Sequence, residues 1–158
     1  QTLPFGGFED FGNDFENNSC HKDFADHALV LMWQSLESNF YQTICCFASK
    51  GKVKGVMIAQ LVLKAITLLE NIGLYVHAIV CDGATTNRRM WVELGIDGSK
   101  TNLKNYFEHP VYPERKIYAL SDFVYLFKCV RNRLYNNKQL RLRADSKTNC
   151  LELFQRSV

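Results

Sequence analysis

Asp82 is the residue best placed to do chemistry. It stands in Val80-Cys81-Asp82-Gly83-Ala84-Thr85-Thr86-Asn87, where an apolar run gives way to small and polar residues. Ligands of open α/β sheets gather at the carboxyl ends of strands, where a carboxylate reaches solvent while the sheet fixes its backbone. Gly83 lets the chain turn closely, and a helix opening just beyond it favours anions. Mg²⁺ takes hard carboxylate oxygens and keeps its other positions for water or phosphate. The same placement also suits an Asp that closes a turn or caps a helix. The residues around it leave both readings open.

The second candidate is a basic run. From Lys128 to Arg143 there are six bases (Lys128, Arg131, Arg133, Lys138, Arg141, Arg143) and no acid. Such density can track a phosphate backbone, with Lys128, Arg131 and Arg133 as contacts. It also fits a solvated helix face. The opposite bias marks the start of the chain, where Glu9, Asp10, Asp14, Glu16, Asp23 and Asp26 face one base, Lys22. The overall net charge of +3 therefore says little about partners.

Other chemistries find no support. Ser49-Lys50-Gly51-Lys52 is not a phosphate loop, since no GxxxxGK[ST] is present. His21, His27, His77 and His109 form no metal-spaced pair on a helix, and no GxSxG occurs. Cys20-His21 has no second ligand pair at zinc spacing. Cys45, Cys46, Cys81 and Cys129 lie in apolar segments, where Cys acts as a small hydrophobe, so a reduced intracellular protein is expected despite the sequon Asn17-Asn18-Ser19. Trp33 and Trp91 read as core. No basic flank with an apolar core opens the chain, and no apolar run reaches the ~20 residues of a membrane helix.

These candidates need elements to hold them. With 158 residues and 47% hydrophobic content, the chain suits one domain with a real core. A weak strand is expected at 4–11, then an acidic loop over 12–26. Ala28–Leu36 and Tyr41–Ala48 read as strands, and their short connection favours an antiparallel pair. Over Val53–Ile72 the apolar spacing predicts a helix. Val56, Ala59, Leu63, Ile66 and Leu69 form one stripe, widened by Ile58, Leu61, Val62, Ala65, Leu68 and Ile72, with Gly73 as C-cap. Leu74–Cys81 is a third strand. Thr85 or Thr86 caps a helix that Gly95 ends. Residues 97–114 read as loop, Lys116–Leu120 as a fourth strand, and Ser121 or Asp122 caps a helix to about Tyr135. The order implies an α/β fold with a mixed sheet covered by helices.

Two phrases carry a family resemblance. AIVCDGATTNRRMWVELGI (78–96) resembles the second-aspartate segment of P-element-type DNA transposases, which include THAP-domain relatives. HPVYPERKIYALSDFVYLFKCVRNRL (109–134) resembles that family's Asp-x-x-His-Leu-x-Lys-x-x-Arg-Asn segment, read here as Asp122, Tyr125, Leu126, Lys128, Arg131 and Asn132. DHALVLMWQSLESNFYQTICCFASKG and PFGGFEDFG resemble its earlier strands, so the likeness runs over about residues 4–136.

The resemblance implies an RNase H-like domain over 1–136, with the basic tail 137–158 opening a GTP-binding insertion domain. It implies a DDE transposase in which three carboxylates hold two Mg²⁺ or Mn²⁺ ions for attack on DNA. Asp82 matches the second carboxylate, as both metal ligand and catalytic residue. The partners implied are transposon-end DNA and further copies of the protein, the place is the nucleus, and no membrane is involved. The family's first carboxylate strand is not matched, so the sheet is expected to be incomplete. Asp82 would then be one ligand of three, and the chain alone should cleave nothing. The strand ending at Asp82 should be central, flanked by 28–36 or the unmatched strand and by 116–120. Tyr125 replaces the motif's His. A domesticated domain that binds DNA or protein without catalysis is the alternative.

Overall fold

A computed structural model describes residues 7–12, 24–99, 101–137, 139–141 and 150–152. Cys20, Lys138, Arg143 and most of the acidic loop lie outside the described residues. The elements are β1 (His27–Gln34), β2 (Tyr41–Ser49), α1 (Gly55–Asn71), β3 (Ala78–Cys81), α2 (Thr85–Glu93), β4 (Tyr106–Glu108), β5 (Lys116–Ser121), α3 (Phe123–Asn137), β6 (Gln139–Arg141) and β7 (Cys150–Glu152). The described residues of Gln1–Ile79 and Ala84–Ala119 form one compact unit, and those of Val80–Gly83 and Leu120–Val158 form another.

In the first unit β1 and β2 pair antiparallel, from His27 opposite Ser49 to Gln34 opposite Tyr41, with an irregularity between Leu31 and Met32. Side chains alternate across a strand, so Leu29, Leu31 and Trp33 turn inward while Val30 and Met32 stay exposed. Cys45 and Cys46 take opposite faces for the same reason, one half-buried and one exposed. Burial pushes the Cys45 thiol up, against the hydrogen bond it receives from the Leu31 backbone.

The core of this unit sits on α1. Ile58, Ala59, Leu61, Val62, Ile66 and Leu69 are buried, as are Val76, Met90, Phe107 and Ile117. Each large member stabilises the fold by about 2 kcal/mol relative to exposure. The buried stripe is narrower than the spacing predicts, because Val56, Leu68 and Ile72 are exposed. Gly55 is buried at the start of α1, where an added Cβ would lie 2.6 Å from the Arg89 Cβ and 2.7 Å from the Thr86 carbonyl oxygen. Only glycine lets α1 and α2 approach so closely.

Both helices end as their glycines predict. The Gly73 amide bonds the Glu70 carbonyl and the Leu74 amide bonds Leu69, with Gly73 at φ +82°. At α2 the Gly95 amide bonds Val92 and the Ile96 amide bonds Trp91, with Gly95 at φ +75°. Each is a Schellman ending that satisfies the last carbonyls. The N-terminal expectation for α2 is corrected. Its N-cap is Ala84, without a side-chain bond, and Thr85 is already helical.

The strands of the second sheet lie in the order β3-β5-β4. β4 pairs antiparallel with β5, with Phe107 opposite Ile117. The Tyr118 amide bonds the His77 carbonyl at 3.0 Å, and the Asp122 amide bonds the Cys81 carbonyl at 2.9 Å. Both partners advance by four residues, so β5 runs parallel to β3. The sheet is mixed, as predicted. Two details differ. The strand before Asp82 lies at the edge of the described sheet with β5 in the middle, and β1 with β2 forms a sheet of its own. That strand is also shorter than 74–81, since the Leu74 amide serves the helix end and the Val76 amide bonds the Glu70 carboxylate.

In the second unit α3 carries Phe123, Val124, Phe127, Val130 and Tyr135 exposed to solvent. β6 and β7 pair antiparallel, Leu140 opposite Leu151. No described helix is long and apolar enough to cross a membrane.

Candidate functional site

Asp82 follows the last residue of β3 and is half-buried. Its position is fixed from both sides. The Cys81 carbonyl before it accepts the Asp122 amide at 2.9 Å. That parallel register sets Asp122, at the end of β5, beside Asp82 at the end of β3. After it, Gly83 meets the ring of Tyr125, whose Cε1 would stand 3.1 Å from a Cβ on Gly83.

Asp122 is the N-cap of α3. Its Oδ1 accepts the Val124 amide at 2.9 Å and the Tyr125 amide at 3.4 Å, and its carbonyl accepts the Leu126 amide. An Asp caps well because its short carboxylate satisfies amides that the first turn leaves open. Of the two capping residues named from sequence, Asp122 is the one used.

The motif residues then fall along α3. Lys128, Arg131 and Arg133 are all exposed. At 3.6 residues per turn, Lys128 and Arg131 share one side, while Arg133 points well away from both. The Arg131 guanidinium donates to the Asn132 side-chain oxygen from Nε at 3.2 Å and Nη2 at 3.0 Å. The helix therefore brings two of the three candidate bases together and separates the third.

A divalent cation needs several hard oxygen ligands. Among the described residues no three His, Cys, Asp or Glu side chains gather to hold one. Asp82 offers such an oxygen, but one oxygen of Asp122 is already committed to the amides of α3. The described residues do not complete a metal centre.

One ionic cluster has no counterpart in the sequence reading. In the first unit the Glu70 side chain is 6% exposed, and its Oε2 lies 2.6 Å from Arg115 Nη1. His109 Nε2 lies 2.9 Å from the same oxygen, without the geometry of a hydrogen bond. His109 Nδ1 accepts the Val111 and Tyr112 amides at 3.1 Å each, and Glu70 Oε1 accepts the Val76 amide at 3.1 Å. Burial works against the Glu70 carboxylate, but hydrogen bonds from Arg115 and Val76 and the charges of His109 and Arg115 outweigh it and hold its pKa down. The cluster ties the loop before β5 to the end of α1. These residues are 39 and 45 positions apart from Glu70, so no local pattern announces them.

The family model described as TNP-like, RNase H N-terminal domain matches residues 1–95. The chain belongs to this family. It is 45% identical over 64 residues to the transposable element P transposase of Drosophila melanogaster, a match covering 40% of this chain and 8% of that protein. It is also similar to a solved structure, the Drosophila P element transposase strand transfer complex, with a TM-score of 0.58 and 26% identity. That match covers 85% of this chain and 28% of the other. The chain is thus a transposase-derived RNase H-like domain, spanning under a third of either relative.

Proposed function

We propose that this domain supplies one carboxylate, Asp82, to the DNA-joining centre of a P-element-type transposase. The observation that carries the reading is the placement of Asp82 at the carboxyl end of β3, beside the end of parallel β5, in a chain similar to a transposase from a strand transfer complex. Mg²⁺ or Mn²⁺ bound there would activate water or a 3′-hydroxyl for in-line attack on a DNA phosphodiester. This chain's own part is to hold the Asp82 oxygen at a rigid strand end. The remaining ligands, GTP binding, self-assembly on transposon ends and a nuclear place of action are assigned to the whole protein rather than to these residues.

The test is strand transfer by the full-length protein on transposon-end DNA with Mg²⁺. Asp82→Asn should abolish product while leaving DNA binding intact. Undiminished transfer by that variant would overturn the proposal. The 158-residue chain alone should show no metal-dependent cleavage, since its described residues do not complete a metal centre.

The exposure of Lys128 and Arg131 on one side of α3 favours a second reading, DNA binding or protein interaction without catalysis. Under it, Asp82→Asn changes nothing and the loss of Lys128 or Arg131 weakens binding.

A further inference from the structure

Resting on the reading of Asp82 as a metal-holding carboxylate, we propose that Tyr125 is a positioning residue that fixes the Asp82–Gly83 turn. Three atoms of its ring lie against Gly83: a Cβ there would meet Cε1 at 3.1 Å, Cδ1 at 3.8 Å and Cζ at 4.0 Å. The described glycines with left-handed backbone are Gly12, Gly51, Gly73 and Gly95, and Gly83 is not among them. An alanine at 83 is therefore acceptable to the backbone. What such a methyl presses on is the ring, which would have to give by a few tenths of an ångström.

The ring is itself held from the strand side. The Asp122 amide bonds the Cys81 carbonyl, and Asp122 Oδ1 accepts the Val124 and Tyr125 amides, so the first turn of α3 is anchored to the end of β3. A closed circuit results. Cys81 is bonded to Asp122, Asp122 sets the backbone of Tyr125, and the Tyr125 ring covers Gly83. Asp82 is the residue enclosed between the two fixed points. An aromatic ring suits this role, because it is broad, stiff and needs only two torsions to be set.

The experiment uses full-length protein selectively labelled at Asp and Gly, where the remaining ligands are present, following the Gly83 amide, the Asp82 side-chain carboxyl carbon and line broadening by Mn²⁺. Gly83→Ala should shift the Asp82 resonance and weaken Mn²⁺ broadening by about tenfold, the scale of losses when support around a ligand is removed. Tyr125→Ala should do the same, and Tyr125→Phe should keep the cover over Gly83, since ring carbons make that contact. In a Tyr125→Ala background, Gly83→Ala should add nothing. The inference is overturned when Gly83→Ala acts equally with and without the ring, or when Tyr125→Ala leaves the Asp82 and Gly83 resonances unmoved. Persistent Mn²⁺ broadening in Asp82→Asn marks a different failure, that of the metal reading, and the inference falls with it whatever the ring does to the turn.

Discussion

The Asp122 amide donates to the Cys81 carbonyl at 2.9 Å while the Asp122 carboxylate accepts the Val124 amide at 2.9 Å. One residue thus joins the end of a strand to the start of a helix. Asp122→Ala keeps the backbone bond and loses the cap, so it should cost about 1 kcal/mol in urea unfolding. Asp122→Asn keeps a capping oxygen and should cost less. Equal losses from both variants would show that the charge, not the cap, is what matters.

Glu70 is the hub of a buried ionic cluster, and its removal strands His109, whose side chain is 1% exposed. Glu70→Gln should destabilise the chain by about 3 kcal/mol, the low end for a broken buried pair because Arg115 is 28% exposed. The pH dependence has a definite sign. The folded carboxyl titrates below its unfolded value of about 4.3, so its stabilisation is present above that pH and fades as pH falls through the lower folded value. Unfolding free energy measured from pH 7 down to 3 should fall in the native chain, with a shallower acid limb in Glu70→Gln.

Gly55 marks the close approach of α1 and α2. A methyl at this position meets the Arg89 Cβ and the Thr86 carbonyl oxygen within 2.7 Å, and neither can swing away as the tip of a long side chain could. Gly55→Ala should therefore cost about 1–3 kcal/mol through overpacking, despite the better helix propensity of Ala. A stabilised Gly55→Ala variant in thermal unfolding would mean that the two helices part without penalty.

On the reading of α3 as a DNA-contacting helix, binding should depend on which side of the helix a base occupies. Each phosphate contact contributes about 0.9 to the slope of log affinity against log salt. Lys128→Ala and Arg131→Ala should each reduce that slope by about this amount, whereas Arg133→Ala, on another side, should change it less. Three equal effects in a salt titration would point to a diffuse charge rather than a contact face.

Local chemistry in the sequence determined much of this protein. The apolar spacing of Ile58 to Leu69 defined α1, Gly73 and Gly95 ended their helices, and the short Glu37-Ser38-Asn39 link paired β1 with β2. Asp82 and Asp122 were legible because a polar residue after an apolar strand is a local signal. β4 was not, since the three residues Tyr106–Glu108 are too few to show a period of two among prolines and polar neighbours. The tertiary structure alone decided that β5 lies between β3 and β4, because pairing order depends on partners distant in sequence. It also decided that the strand starts only at Ala78, since the Leu74 amide bonds a helix end and the Val76 amide bonds Glu70. It alone brought Glu70, Arg115 and His109 to one point, and the Tyr125 ring onto Gly83, because contacts across tens of residues leave no periodic trace in the chain.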